Sequence, residues 1–345
     1  MVSRSRLTRW GVAPVLVLLS AVFFGGCDPK TPSILDPKGP VALAESNLFW
    51  IIFGIATFIF VVVAGWLLFS IIKYRERPGM PEPRQTHGNT KIEIAWTIAP
   101  SIVLFVVLIF TISSMFQLAE PASANTLKVR AVGHQWWWEF QYEGTAPAVV
   151  TGDELHIPVG TVVHVDLSSN NVIHSFWVPP LTGKTDVIPG HDNFLWLKAD
   201  KPGSFRGECA EYCGTQHANM NFVVIADPPD VFASWLNAQQ AAAMAPTTPQ
   251  QQSGFALLKT AGCVGCHAIS GVNTDAQGRG PTIGPNLTHF GSRTLIAGGV
   301  LSNTSDNLAT WLSDPQNVKP GNDMIIRKLS PSEISDLVAY LESLK

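Results

Sequence analysis

Hydrophobic and polar positions fall into three textures along the chain. Residues 48–72 and 95–118 are almost unbroken Phe, Ile, Val, Leu and Ala. At ~1.5 Å per residue either run is long enough to cross a ~30 Å hydrocarbon core as a helix. Pro100 falls near the start of the second run, where a missing N–H is tolerated. A shorter apolar run, 12–24, follows Arg4, Arg6 and Arg9, which is the build of an export signal. Beyond Asn125 the runs shorten and alternate, at 127–132, 154–158 and 162–167, between Gly and Pro turns. That cadence predicts a small β-sandwich or Greek-key barrel. A closing helix is expected over 231–240, followed by a polar, Pro-containing tether. Helical stripes return at 254–261 and 332–344, where Ile334, Leu337, Val338 and Leu341 share one face. The expected division is a signal peptide over 1–27, a two-helix transmembrane anchor over 45–120, a β-domain over 121–238, a linker over 239–252 and an all-α domain over 253–345.

Charge orients this plan. Lys73, Arg75, Arg77, Arg84 and Lys91 lie between the two apolar runs, so the positive-inside rule puts that hairpin in the cytoplasm and everything after Glu120 outside. The net charge is only −3, but between Glu120 and Asp230 acidic residues outnumber basic ones about two to one. Such a field attracts a basic protein partner and repels nucleic acid. The five cysteines sort without a structural pair left over: Cys27, Cys209 with Cys213, and Cys263 with Cys266. Small residues before Cys27 resemble a bacterial lipoprotein cleavage site, which makes Cys27 a lipidation candidate; ordinary cleavage and a retained anchor are the alternatives.

Two clusters carry chemistry. The first runs from Cys209 to Met220 in the pattern C-x3-C-x3-H-x2-M, with ligands Cys209, Cys213, His217 and Met220. Thiolate, imidazole and thioether favour copper over calcium or magnesium. A mononuclear electron-transfer copper uses one Cys, whereas two could bridge a pair of ions. The second imidazole is then best supplied by His174, which follows a strand-like run and leads into Pro179-Pro180. The alternative is a Cys209–Cys213 disulfide with His217 and Met220 incidental. The second cluster is Cys263-Val264-Gly265-Cys266-His267, the C-x-x-C-H attachment signature for haem c. Met324, the domain's one methionine, is the sixth ligand such a haem would take. Trp136, Trp137 and Trp138 are adjacent, and neighbours on a strand alternate faces, so they cannot all enter one core. Trp137 and Trp138 suit a core or a membrane-interface aromatic belt. His156 and His164 fall inside strands and are expected to be packed or surface groups.

The copper loop resembles the binuclear CuA site of cytochrome c oxidase subunit II. The resemblance implies a cupredoxin-like fold for the β-domain, with Cys209 and Cys213 bridging both coppers, His174 and His217 binding one each, Met220 a weak ligand and Glu211 contributing its backbone carbonyl. It further implies a magnesium ion shared with subunit I and reached by the Glu211 side chain near Asp186. An incoming electron would be received at Trp136, and Glu93, three residues before Trp96, would stand at the entrance of a proton path. His191 departs from the family, where Arg commonly follows the Pro-Gly pair. The segment Gly284-Pro285-Asn286-Leu287 resembles that of class I cytochromes c in which the carbonyl of the residue matching Pro285 supports the proximal His.

The whole layout resembles a caa-type subunit II with a fused cytochrome c domain in a bacterial cell membrane. Its implied partners are subunit I with haem a and CuB, subunit III, membrane lipids, and a cytochrome c or quinol-cytochrome c reductase as donor. Neither centre leaves an open position for substrate, so the chain is expected to conduct electrons while dioxygen is reduced elsewhere. Two rivals are a CuA subunit feeding a nitric oxide reductase and a copper-delivery protein; the haem motif speaks against delivery.

Overall fold

The computed structural model describes residues 31–82, 85–119, 121 and 125–345. The export segment and Cys27 lie outside them. Helix α1 spans Pro40–Lys73 and α2 spans Thr90–Gln117; both are apolar and long enough to cross a membrane and present apolar side chains outward. Each begins earlier than the apolar run alone predicts. In α1, Pro40 opens the first turn and Val41, Ala42 and Ser46 are buried, so the first turns serve as a foot on the β-domain. Lys38 is bonded there through Pro180 O and Asp200 N at 2.7 and 3.0 Å. In α2, Asn89 caps the helix by accepting from Lys91 N and Ile92 N, an end signal that a hydropathy run does not carry. Pro100 consequently lies well inside α2, where its missing N–H leaves the Trp96 carbonyl without its helical partner. At the other end of α2, Trp196 Nε1–H donates to Leu118 O at 2.8 Å. The hairpin is thus fastened to the β-domain at both ends.

The β-domain is a sandwich of two five-stranded sheets. One orders β3 (Val149–Gly152), β2 (Trp137–Tyr142), β1 (Leu127–His134), β5 (Val163–Ser169) and β8 (Asn193–Leu197). The other orders β4 (Glu154–Pro158), β10 (Asn221–Asp227), β9 (Gly203–Cys209), β6 (His174–Trp177) and β7 (Thr185–Val187). Period-2 alternation sends Trp138 and Phe140 inward to meet Phe176 and Phe222, all four with no exposed surface. Phe176 and Phe222 lie 4.6 Å apart and Trp138 stands edge-on to Phe176 at 5.5 Å. Gly207 leaves the notch that the Phe222 ring fills. Trp137, on the opposite face of β2, stacks on His134 at 4.2 Å. Of the core and belt placements expected for Trp137 and Trp138, the core one holds and the belt one does not. Both are buried, Trp138 in the sandwich and Trp137 against residues of the C-terminal domain, which supplies the cover that a bilayer would otherwise give. His156 stacks on Trp235 at 4.0 Å and His164 on Phe194 at 5.0 Å, both as packed groups.

After α3 (Pro229–Gln239) the chain enters the C-terminal domain through a stretch that is pinned rather than loose. Ala243 N donates to Ser270 O at 3.0 Å, and His289 Nε2 lies 3.2 Å from the carbonyls of Gln239 and Ala241. Helix α4 begins at Pro249, inside the stretch expected as linker, because Thr248 and Gln251 form a capping box. It spans Pro249–Thr260 and is crossed by α7 (Pro331–Leu341), also set by a capping box, from Ser330 and Glu333. Gly254 permits the crossing, since a side chain there would strike Asp336 O and Tyr340. Between them come a two-stranded ribbon, β11 (Leu295–Ile296) and β12 (Leu301–Ser302), and the short helices α5 (Ser305–Ser313) and α6 (Pro315–Val318). Replacing Phe222 by Ala is expected to cost ~3–5 kcal/mol through the cavity it leaves; thermal unfolding of the detergent-solubilised chain should show an early transition confined to the β-domain.

Candidate metal and haem sites

The copper-loop residues converge at one end of the sandwich. Strand β9 delivers Cys209, neighbouring β6 delivers His174, and the turn after β9 returns Cys213, His217 and Met220 into β10. Cys209 Sγ and Cys213 Sγ are 3.7 Å apart, and both residues are free thiols, so the disulfide of the alternative reading is not formed. His174 Nδ1 lies 3.8 Å from Cys209 Sγ and His217 Nδ1 lies 3.7 Å from Cys213 Sγ, one imidazole per sulfur. Met220 Sδ is 3.8 Å from Cys213 Sγ and fully buried. The Glu211 carbonyl is 3.2 Å from Cys209 Sγ. Among the described residues, the ligand atoms of His174, Cys209 and Cys213 form a tight buried group within 4.8 Å of one another; His217 stands at its edge, half-buried.

The electrostatics favour a cation. The hydrogen bond between the two thiols holds Cys209 well below the ordinary thiol range, and the same bond, with burial and the Cys209 charge behind it, pushes Cys213 up. Two buried thiols this close share one proton, and both ionise only if positive charge arrives between them. The donor set therefore fits soft metal ions held by two sulfurs.

Orientation comes from residues that the motif does not include. Asn171 Oδ1 lies 3.0 Å from His174 Nε2; an amide oxygen can only accept, so Nε2 carries the proton and Nδ1 faces the sulfur with its lone pair. Gly133 lies under the His174 ring, where an added Cβ would stand 2.7 Å from Cδ2. Gln135 Nε2–H and Trp136 Nε1–H both donate to Cys213 O, at 2.8 and 3.0 Å. Asp186 is exposed on β7 opposite Ser175, and Glu211 is exposed with its carboxylate accepting from Tyr212 N. The structure does not gather Asp186 into the sulfur group. Glu93 lies far from these sites in the first turn of α2, and His191 is exposed on a turn.

The second site is a cleft in the C-terminal domain lined by Cys263, Cys266, His267, Pro285 and Met324. His267 Nδ1–H donates to Pro285 O at 2.7 Å, which leaves Nε2 as the free lone pair, and burial depresses the imidazole's pKa and keeps it neutral. Gly284 lets the chain pass against the ring, where a Cβ would contact Nδ1 at 2.8 Å. Asn273 braces the cysteine loop by donating to Val264 O and His267 O at 2.7 and 2.8 Å. On the opposite loop Asn322 accepts from Met324 N at 2.7 Å and donates to Pro315 O and Lys319 O. Two thiols, a neutral imidazole and a thioether around one cleft fit an attached haem. The same cleft is walled on its far side by Gln135, Trp136 and Asp153 of the β-domain.

With this geometry in hand, comparison with known proteins is decisive for the family. Residues 143–227 match the cytochrome C oxidase subunit II periplasmic domain, 35–114 its transmembrane domain and 251–345 cytochrome c. A cytochrome c oxidase subunit 2 of Alkalihalophilus pseudofirmus is 39% identical over 97% of this chain and 98% of its own length. The chain belongs to the cytochrome c oxidase subunit II family. A cytochrome c oxidase subunit 2 of Bacillus subtilis is 31% identical over 96% of the chain and 97% of its own. A quinol oxidase subunit 2 of Bacillus cereus is 34% identical over 67% of the chain and 80% of its own. The crystal structure of the periplasmic domain of subunit II of cytochrome oxidase from Bradyrhizobium japonicum is similar, at 32% identity and a TM-score of 0.33, covering 35% of this chain and 96% of that one. As a subunit II with a fused cytochrome c, the chain is a membrane-bound electron-transfer component of a haem-copper oxidase in partnership with subunit I. Copper belongs to its β-domain and haem c to its C-terminal domain.

Gly133→Val is expected to displace the His174 ring. Metal analysis of the purified chain should find copper reduced severalfold with the haem c absorbance retained; full copper loading would show that His174 is not needed for binding.

Proposed function

We propose that the chain takes electrons from a donor onto haem c and passes them through a binuclear copper centre to haem a of subunit I, where dioxygen is reduced to water with proton pumping. The observation that carries this reading is the continuity of the two sites, since Trp136 walls the cysteine-histidine cleft and also donates to Cys213 O. Cys209 and Cys213 would bridge two copper ions, His174 and His217 would bind one each, and Met220 and the Glu211 carbonyl would be weak outer ligands. Cys263 and Cys266 would form the thioethers of the haem, with His267 and Met324 as axial ligands. Bound there, both groups supply one-electron transfer without an open position for substrate.

The chain's own residues do the rest. Asn171 and Pro285 fix which imidazole nitrogen is free, and the buried Met220 keeps water from the sulfurs. Trp136 is the residue between the two centres. The Glu211 carboxylate, with Asp186, would hold magnesium at the contact with subunit I. Glu93, exposed at the start of α2, would feed a proton path into subunit I. Basic residues such as Lys73 and Lys91 between α1 and α2 support a cytoplasmic hairpin, which puts both redox domains on the outer side of the cell membrane. Cys27, if lipidated, would add a third attachment to the lipid. Subunit III and a cytochrome c or quinol-cytochrome c reductase complete the assembly. The oxidase relatives favour this reading over a nitric oxide reductase or copper delivery.

The test is the optical and electron-spin spectrum of the full chain in detergent. A hyperfine pattern from one electron shared by two copper nuclei, together with a c-type α band, is expected; zinc in place of copper would overturn the reading. Met220→Leu is expected to shift the copper potential and slow turnover with the fold intact, and unchanged turnover with the native donor would exclude Met220 as a ligand.

A further inference from the structure

The cytochrome domain does not hang from its linker; it is docked, and one lysine stands at the centre of the contact. Lys319 is 3% exposed although it lies in the loop that carries Met324. Its Nζ donates to Trp136 O at 2.6 Å and to Ala297 O at 3.2 Å. The same amine therefore ties the Met324 loop to the backbone of the tryptophan whose indole donates to Cys213 O. Asn322 connects the other end of this loop, accepting from Met324 N and donating to Lys319 O.

The surroundings are shaped for this contact. Gly298, at φ +69°, is where the ribbon turns closest; a Cβ there would strike Lys319 Nζ and lie 2.9 Å from Trp136 O and 3.1 Å from Asn219 O. Its carbonyl accepts from Asn221 N at 2.9 Å, and the Pro320 carbonyl accepts from the Gln216 side chain. The copper turn is thus gripped on both sides by the cytochrome domain. The charge is matched from the β-domain. Asp153 is buried, accepts from Trp138 N at 2.9 Å and lies in the field of Lys319 and Arg293. Burial pushes Asp153 up to about 6 and pulls Lys319 down to about 8, and the opposite charge of each offsets part of the other's shift. A second contact reinforces the first: Glu154 Oε1 accepts from Thr294 N at 2.6 Å.

We infer that Lys319 is a positioning residue for electron transfer within the chain, clamping the Met324 loop onto the Trp136 backbone so that the haem cleft and the copper loop keep one fixed relation. The inference rests on the assignment of haem and copper to the two sites, but the clamp itself needs neither group. With haem and copper bound, one electron at a time would cross this contact, lost on the haem side and gained on the copper side, while Lys319 itself takes no part in the redox change.

The decisive comparison is between the wild-type full chain, Lys319→Met and the exposed-lysine control Lys328→Met. Amide hydrogen exchange in peptides covering 216–221 and 297–299 is expected to rise at least tenfold in K319M and to stay at the wild-type level in K328M. With both centres loaded and their spectra unchanged, the rate of haem-to-copper transfer after photoreduction should fall at least tenfold in K319M. Unchanged exchange and an unchanged rate would overturn the inference. If K319M does not fold, Asp153→Asn, which keeps an amide oxygen for Trp138 N–H, should loosen the same peptides, and wild-type protection in D153N would likewise overturn it. Failure of the copper and haem assignments would appear instead in the wild-type spectra, while the exchange comparison would still decide whether the clamp exists.

Discussion

The structure is built around a repulsion. Cys209 and Cys213 hold two buried sulfurs 3.7 Å apart without joining them, and in a low-dielectric pocket two such groups cannot both be anions unless a cation lies between. Every neighbouring feature can be read as managing that constraint. Strand pairing of β6 with β9 fixes His174 beside Cys209, the turn before β10 brings His217 and Met220 to Cys213, and Asn171 sets the tautomer of His174. The aromatic core of Trp138, Phe140, Phe176 and Phe222 lies directly behind and leaves the sulfurs little freedom to move.

A dry, rigid site serves electron transfer because few groups need to reorganise when charge arrives. The same economy recurs in the cytochrome domain. Pro285 O holds one nitrogen of His267, Asn273 holds the cysteine loop, and Asn322 holds the methionine loop. The domain is then seated on the outer face of the first sheet with its cleft toward Trp136. Covalent tethering by the 239–252 segment supplies a high effective concentration, and the buried contacts of Lys319, Glu154 and Gly298 turn that proximity into one geometry.

What could be read from the sequence was whatever the chain keeps close along itself. The C-x3-C-x3-H-x2-M and C-x-x-C-H patterns put their donors within a few residues, and two apolar runs announce their helices by length alone. His174 was reachable because a strand followed by Pro179-Pro180 marks a sheet end. Helix boundaries were less legible: Asn89 and the Thr248–Gln251 box move two helix starts upstream of where apolar periodicity begins. The docked arrangement was not legible at all. Lys319 and Trp136 are 183 residues apart, and a lysine next to Pro-Gly reads as a solvated loop residue until the other domain is seen to bury it. Trp137 had the look of a membrane-belt residue for the same reason, since its cover comes from a distant part of the chain.

The state of the two sulfurs is reported most directly by intact-chain mass spectrometry under native conditions. The predicted mass is that of the mature polypeptide with one covalently attached haem and two copper ions, the copper lost on unfolding while the haem stays. A chain that carries no copper and is lighter by two hydrogens, with the missing pair mapped to Cys209 and Cys213, would contradict it.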